Sequence, residues 1–325
     1  MILRIRALAG LLFAFSAATA FADYQIAVIP MGTTHEYWKS IEAGAMKAKE
    51  ELAASGTPVS IIWKGPLRED DREQQIQVVE NFIGKKVSAM VLAPLDCRAL
   101  CAPVEEATRE GIPVVIVDSP LFSKAPVSTI ATDNFKGGEL GGRRLGSVLG
   151  GKGRVIMLRC QAGSASSDAR EAGFLEVMKS EFPGIELIST NQYGGITTET
   201  AFLASQNLIN RFGDRLDGIF TPNESTAMGM LLAIREAGLA GKVKFVAFDV
   251  NDRLVAALKK GDVQGLVAQD PVKMGYLGVL TAVAALRHEK YETAVDTGVS
   301  VVTRENMDEP AISALLHPPL AQYLK

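Results

Sequence analysis

The stretch Ile112-Pro113-Val114-Val115-Ile116-Val117-Asp118 decides the fold. An unbroken apolar run after a proline, ending on an aspartate, reads as a strand buried on both faces of a parallel sheet. Pro113 suits the first strand position, where a missing N–H costs least. Asp118 stands where the chain leaves the sheet, at the carboxyl edge where open α/β folds bind ligands. A carboxylate there is expensive to desolvate without a partner, so Asp118 is read as facing a ligand. The competing reading is a cap on the following turn.

Working outward, strand-like and helix-like segments alternate from Tyr24 onward. Strands are expected at 24–31, 59–63, 89–92 and 112–118, with helices at 37–55, 70–84 (closed by Gly84) and up to about 110 between them. A second half repeats the rhythm. Its strands are expected at 128–132, 154–158, 185–192, 218–221, 243–249, 265–269 and 297–303, and its helices at 165–181, 197–212, 225–237, 251–261 and 271–288; Asp133 can cap a further helix. Repeated β-α units give parallel sheets with right-handed crossovers, an α/β architecture. Several strands run out on hydrogen-bonding groups, namely Asp118, Asn223, Asp249 and Gln269. Polar strand ends in both halves suit two half-sites facing each other across a cleft.

Bulk properties narrow the function. The 325 residues suffice for two domains, and 47% hydrophobic with 6% aromatic content suits an Ala/Val/Gly-rich α/β chain. A net charge of −3 gives no basic surface for nucleic acid, and the three histidines are too scattered for a metal site. No cofactor is expected. Basic Met1–Arg6, apolar Ala7–Ala18 and Ala20-Phe21-Ala22 before Asp23 have the form of a secretory signal over residues 1–22, cleaved near Ala22. The run is too short to span a bilayer, so a soluble periplasmic protein is expected. Export permits disulfides; Cys97 and Cys101, four apart near a helix start, could be bridged only across a distorted turn. Cys160 reads as a small buried hydrophobe.

Catalytic readings fail on spacing. Gly32–Tyr37 lacks the G-x-G-x-x-G of a dinucleotide fold, Gly163–Ser167 lacks the hydrolase elbow, and no phosphate loop occurs. Gly137-Gly138-x-x-Gly141-Gly142 falls inside an expected helix, where small residues serve close contact. The chain is read as a binding protein, not an enzyme.

In order and spacing almost the whole mature chain resembles the periplasmic sugar-binding proteins of ABC importers, the group typified by ribose-binding protein. The carriers are Tyr37-Trp38, Ile112–Asp118, Asp133-Asn134-x-x-Gly137-Gly138, Gly173-Phe174, Phe220–Gly229, Phe248-Asp249 and Val267–Pro271. The resemblance implies two Rossmann-like lobes with parallel sheets, joined by crossings near Thr132, Gln269 and Gly298. The N-terminal lobe would comprise 23–132 plus 270–298, and the C-terminal lobe 133–269 plus 299–325. It implies a monosaccharide, amino sugar or sugar alcohol in the cleft, hinge closure, delivery to an ABC permease, and a monomer. A periplasmic sensor passing its occupancy to a chemoreceptor or histidine kinase is the alternative. Family ligand contacts fall on Tyr37 and Trp38 as an aromatic sandwich, on Asp118, Asn223, Asp249 and Gln269, on His35 where Asn is common, and on Tyr193 as a second stacker. For Trp38 the competing role is helix core, and for Asn223 a helix cap, with Ser225 an alternative cap.

Departures are informative. Ser119 replaces an arginine, and Asp168 replaces the first arginine of an Arg-x-Arg stretch, leaving Arg170. Asp118, Asp168 and Asp249 would then converge with little compensating charge, which is costly when buried. An amino sugar pairing with Asp168 would relieve this; otherwise Asp168 caps a helix turn.

Overall fold

The computed structural model describes residues 24–324. The expected signal segment and its cleavage near Ala22 lie outside the described residues. The chain runs β1 (Tyr24–Ile29), α1 (Glu36–Ala54), β2 (Val59–Trp63), α2 (Arg72–Gly84), β3 (Ala89–Leu92), α3 (Cys101–Arg109), β4 (Val114–Val117) and β5 (Ser128–Ala131). It continues α4 (Asn134–Val148), β6 (Gly153–Arg159), α5 (Ala165–Ser180), β7 (Ile185–Tyr193), α6 (Thr198–Phe212), β8 (Gly218–Thr221), α7 (Glu224–Glu236), β9 (Lys244–Phe248), α8 (Asp252–Lys260) and β10 (Gly265–Ala268). Last come α9 (Pro271–Leu286), β11 (Ala294–Asp296), β12 (Ser300–Val302), α10 (Pro310–Leu316) and α11 (Leu320–Tyr323).

Two six-stranded sheets form, ordered β11-β5-β4-β3-β1-β2 and β12-β10-β9-β8-β6-β7. The fold is α/β, with two doubly wound lobes. β4 shows why the opening run is wholly apolar. Val114 and Ile116 face the core under α2 and α3, whereas Val115 and Val117 face the core under α1 and α9. Helices on both sheet faces erase the two-residue alternation, and each fully buried Val or Ile stabilises by about 1.5–3 kcal/mol. In the second lobe α4 and α5 cover one face, while α6, α7 and α8 cover the other.

The chain passes between the sheets at 132–133, 269–270 and 297–299. The first and third crossings are tied together. Asp296 Oδ1 accepts from the N–H groups of Asp133 (3.1 Å) and Gly298 (2.9 Å), and Thr297 N–H donates to Ala131 O (3.0 Å).

Four details correct the sequence reading. The strand expected at 297–303 is shorter, β12 at 300–302, and it is preceded by an unexpected strand of the other sheet, β11, which the chain leaves where Gly298 takes φ +90°. β12 then runs antiparallel to β10, so the second sheet is not wholly parallel. α10 buries Ile312 and Leu316 in the second lobe's core, but after Pro318-Pro319 α11 lies against α1, so the C-terminal segment touches both lobes. Finally, Gly84 stays helical and Lys85 is the cap; Lys86 takes the left-handed turn at φ +53°. Cys97 and Cys101 are free; the Cys101 thiol donates to Cys97 O at 3.4 Å across the helix start.

Candidate functional site

Each sheet presents its carboxyl edge to the other, so loops after corresponding strands meet in the cleft. The first lobe contributes His35, Tyr37 and Trp38 after β1, Glu69 after β2 and Asp118 after β4. The second contributes Cys160, Gln161, Ser164, Ser166, Ser167 and Arg170 after β6, Asn223 and Glu224 after β8, Asp249 after β9 and Gln269 after β10. Both strand-end aspartates adopt left-handed backbone, Asp118 at φ +66° and Asp249 at φ +71°. Asp is among the few residues that tolerate this region. The same local turn recurs in both lobes and ends each strand on a carboxylate.

The lobes are closed on one another. Cys97 N–H donates to Gly163 O (3.2 Å), Ser166 N–H to Ser119 Oγ (3.3 Å), and Gln161 Nε2 to Glu69 O (3.3 Å). The space left between the lobes is ≈ 40 Å³, room for a few water molecules.

Inside, charged groups are networked. Asp118 Oδ1 accepts from the Tyr37 hydroxyl at 2.6 Å. Asp249 accepts from Gln269 Nε2 (2.7 Å) and Glu224 N–H (3.0 Å), with Arg170 Nη1 at 3.9 Å. Arg170 is 3% exposed; it donates to Asn134 Oδ1 (2.8 Å) and Pro222 O (3.0 Å) and lies over Phe248, 4.0 Å from the ring centroid. Asn134 in turn donates to Thr132 O (3.0 Å), which links the arginine to the first interlobe crossing. His35 Nδ1 and Trp38 Nε1 both meet Glu69 Oε1 at 2.6 Å. Gln269 Oε1 and Glu224 Oε2 are buried acceptors that no group among the described residues satisfies.

Burial shapes the ionisation. It raises Asp118 to about 6, against the pull of Arg170 and the Tyr37 hydrogen bond, and it raises Asp249 and Glu224 as well. For His35 burial opposes the charge, but the hydrogen bond and charge of Glu69, then Glu224 and Asp249, raise it to about 9. Burial and the Glu69 charge push the Cys160 thiol up to about 12, so it is inert.

Of the expected ligand residues, His35, Tyr37, Trp38, Asp118, Arg170, Asn223, Asp249 and Gln269 line this space. Asp168 and Tyr193 do not. Asp168 lies two residues from Arg170 on α5, and residues so spaced face opposite sides of a helix. It pairs instead with Arg159 at 3.5 Å and lines a separate pocket between the lobes with Asp96 and Arg98. Tyr193 ends the edge strand β7, 45% exposed beneath the Arg159 guanidinium. The aromatic pair is no sandwich either. Tyr37 and Trp38 meet edge to face at 88°, and Trp38 is 3% exposed within the core. Asn223 itself caps α7, accepting from Thr226 and donating to Ser225, so Ser225 is not the cap.

Sequence reasoning missed Glu69, Glu224, Cys160 and the serines 164, 166 and 167. The available signal was position: each follows a strand whose carboxyl end faces the cleft. The placement of Asp168 and Tyr193 yields an expected result. Asp168→Asn and Tyr193→Ala should leave ligand affinity within about twofold by calorimetry, because neither removes a cleft contact; a tenfold loss for either would place it back at the site.

Comparison with known proteins agrees with the geometry. The model of the periplasmic binding protein domain matches residues 26–290. The D-ribose/D-allose-binding protein of Pseudomonas aeruginosa is 31% identical over 290 residues, covering 86% of this chain and 88% of that protein. A carbohydrate transporter solute-binding protein from Agrobacterium radiobacter, solved with D-arabinose, superposes with a TM-score of 0.86 at 35% identity, covering 92% of this chain and all of that one. An ABC transporter solute-binding protein from Agrobacterium vitis with bound D-fucose gives 0.85 at 34% identity, covering 90% of this chain and all of that one. This chain therefore belongs to the periplasmic binding protein family and, within it, to the type I sugar-binding proteins of ABC transporters.

Proposed function

We propose that this chain captures one monosaccharide, or the corresponding sugar alcohol, between its lobes in the periplasm and delivers it to an ABC permease. The carrying observation is the ring of buried donors and acceptors from both lobes, in which Gln269 Oε1 and Glu224 Oε2 lack partners among the described residues. An unsatisfied buried acceptor costs about 1–3 kcal/mol, and a hydroxyl-rich guest relieves it. Arg170 and His35 supply donors to sugar oxygens, while Asp118 and Asp249 accept from hydroxyls. Relatives that bind ribose, allose, arabinose and fucose make aldoses of five or six carbons the first choice.

The test is calorimetry against D-ribose, D-allose, D-arabinose, D-fucose, galactose and several alditols, with X-ray scattering on the tightest. One member should bind with a 1:1 stoichiometry and compact the protein. Failure of the whole panel, with superimposable scattering profiles, would overturn the reading.

A second reading rests on charge. Glu69, Asp118, Glu224 and Asp249 line the cleft against only Arg170 and His35, so an amino sugar could bring its ammonium to Asp118 or Glu224. Asp168 is the less suited partner, since it faces Arg159 and not this space. Glucosamine binding well ahead of glucose would favour this version.

A further inference from the structure

Glu69 sits in Arg68-Glu69-Asp70-Asp71, four consecutive charged residues between β2 and α2. Its neighbours are used locally: Arg68 pairs with Asp70, and Asp71 caps α2 by accepting from Gln74 N–H at 2.9 Å. Glu69 alone turns inward, to 8% exposure. Gly32 makes room, since a Cβ there would stand 2.8 Å from Glu69 Cγ. One carboxylate oxygen then meets both His35 Nδ1 and Trp38 Nε1, while the backbone carbonyl accepts from Gln161 of the opposite lobe.

We infer that Glu69 is the positioning residue of the cleft: it fixes the His35 ring through Nδ1 and the Trp38 indole through Nε1, leaving His35 Nε2–H as a donor for a ligand oxygen. The inference rests on the sugar-binding reading and deepens it, because a donor at that end requires an oxygen rather than an ammonium opposite. A carboxylate on Nδ1 fixes the orientation of the imidazole and favours its doubly protonated form. The other charged groups near His35 are Glu224 from α7 and Asp249 after β9; Asp118, Arg170 and the Tyr37 hydroxyl line the same space. With its proton held to about pH 9, His35 donates throughout the neutral range.

Glu69→Gln tests this, because the amide still accepts from Trp38 yet removes the charge. His35 loses a proton as pH rises, so affinity must fall as pH passes its pKa. For wild type that decline lies above about pH 9, and affinity for the best-binding sugar should be flat from pH 6.5 to 8. For Glu69→Gln it should fall roughly tenfold over that interval, about one proton's worth. In a His35→Asn background Glu69→Gln should no longer change the pH profile.

NMR titration of the His35 ring in ligand-free protein, with His288→Asn and His317→Asn simplifying the spectrum, needs no sugar. A wild-type ring protonated through pH 8 and a downshifted one in Glu69→Gln support the inference. A wild-type ring titrating near 6.5, or an unmoved one in the variant, overturns it. Should no panel sugar bind, the sugar reading fails while the ring titration still decides the role of Glu69.

Discussion

Asp118→Asn should bind sugar 10- to 100-fold more weakly than wild type, yet melt roughly 5 °C higher without ligand at pH 7. Asp118 is 4% exposed, and burial lifts its pKa from 3.8 to about 6. A group whose pKa is raised on folding stabilises the fold fully below its unfolded value and loses that contribution as pH rises through its folded value. Near neutrality the ionised carboxylate therefore costs about 3 kcal/mol relative to its protonated form, at 1.36 kcal/mol per unit. Asparagine imitates the protonated form. Its Oδ1 still accepts from the Tyr37 hydroxyl, and it tolerates φ +66° as well as aspartate does. The gain corresponds to roughly 2 °C per kcal/mol in a chain of this size. What disappears is the charged acceptor, whose hydrogen bonds are worth about 1.5–3 kcal/mol. Calorimetric melts at pH 7 and pH 4 decide the matter: the advantage of the variant should vanish at pH 4, where wild-type Asp118 is protonated. A variant that melts no higher at pH 7, or whose advantage persists at pH 4, would remove burial of this charge as the cause.

The conflict at Asp118 also explains what the sequence could reveal. β4 was legible because four apolar residues in a row make sense only with helices on both faces, and the aspartate after them is the first residue past the sheet edge. Asp249 and Gln269 were legible by the same positional logic, and Asp133 as a cap because its carboxylate meets Lys136 N–H within one turn. Local chemistry sufficed in each instance. β11 was not legible, since Ala294-Val295-Asp296 is too short to carry a pattern and becomes a strand only by pairing with β5. Glu69 was hidden for a related reason: its burial depends on Gly32 and His35, more than thirty residues earlier, and the uninterrupted charges from Arg68 to Glu73 give no sign that one of them turns inward. The misplacement of Asp168 was avoidable, because α5 could not aim both Asp168 and Arg170 into one cleft. The same holds for Tyr37 and Trp38, whose adjacency on one helix precludes two parallel rings around a guest.

The glycines of α4 carry the largest structural expectation. Interior helical glycines cost about 1 kcal/mol each relative to alanine, so Gly138→Ala on an exposed helix would stabilise. Here it should destabilise by about 3 kcal/mol and weaken sugar binding more than tenfold, as overpacking against rigid backbone outweighs propensity. A Cβ on Gly138 would stand 1.9 Å from the carbonyl oxygen of Arg170, and one on Gly173 would stand 2.0 Å from Phe135 O. α4 and α5 thus meet backbone to backbone at reciprocal glycines, with no flexible side chain to give way. Relief requires α5 to retreat by more than about 1 Å, and Arg170 moves with it. Its 2.8 Å bond to Asn134 and 3.0 Å bond to Pro222 O would then break, loosening the guanidinium beside Asp249 and its tie to the first crossing. Gly142→Ala is the control, because its Cβ would meet only side-chain atoms, Val177 Cβ and Cγ1 at 3.1 Å and Met178 Cε at 3.4 Å, and a shift of a few tenths of an ångström relieves them, at a cost of about 1 kcal/mol. Denaturant unfolding and calorimetry on both variants separate the cases. Equal losses for the two would show that contact with Arg170 is not special, and a Gly138→Ala protein that unfolds and binds like wild type would show that the helix pair can spread without disturbing the cleft.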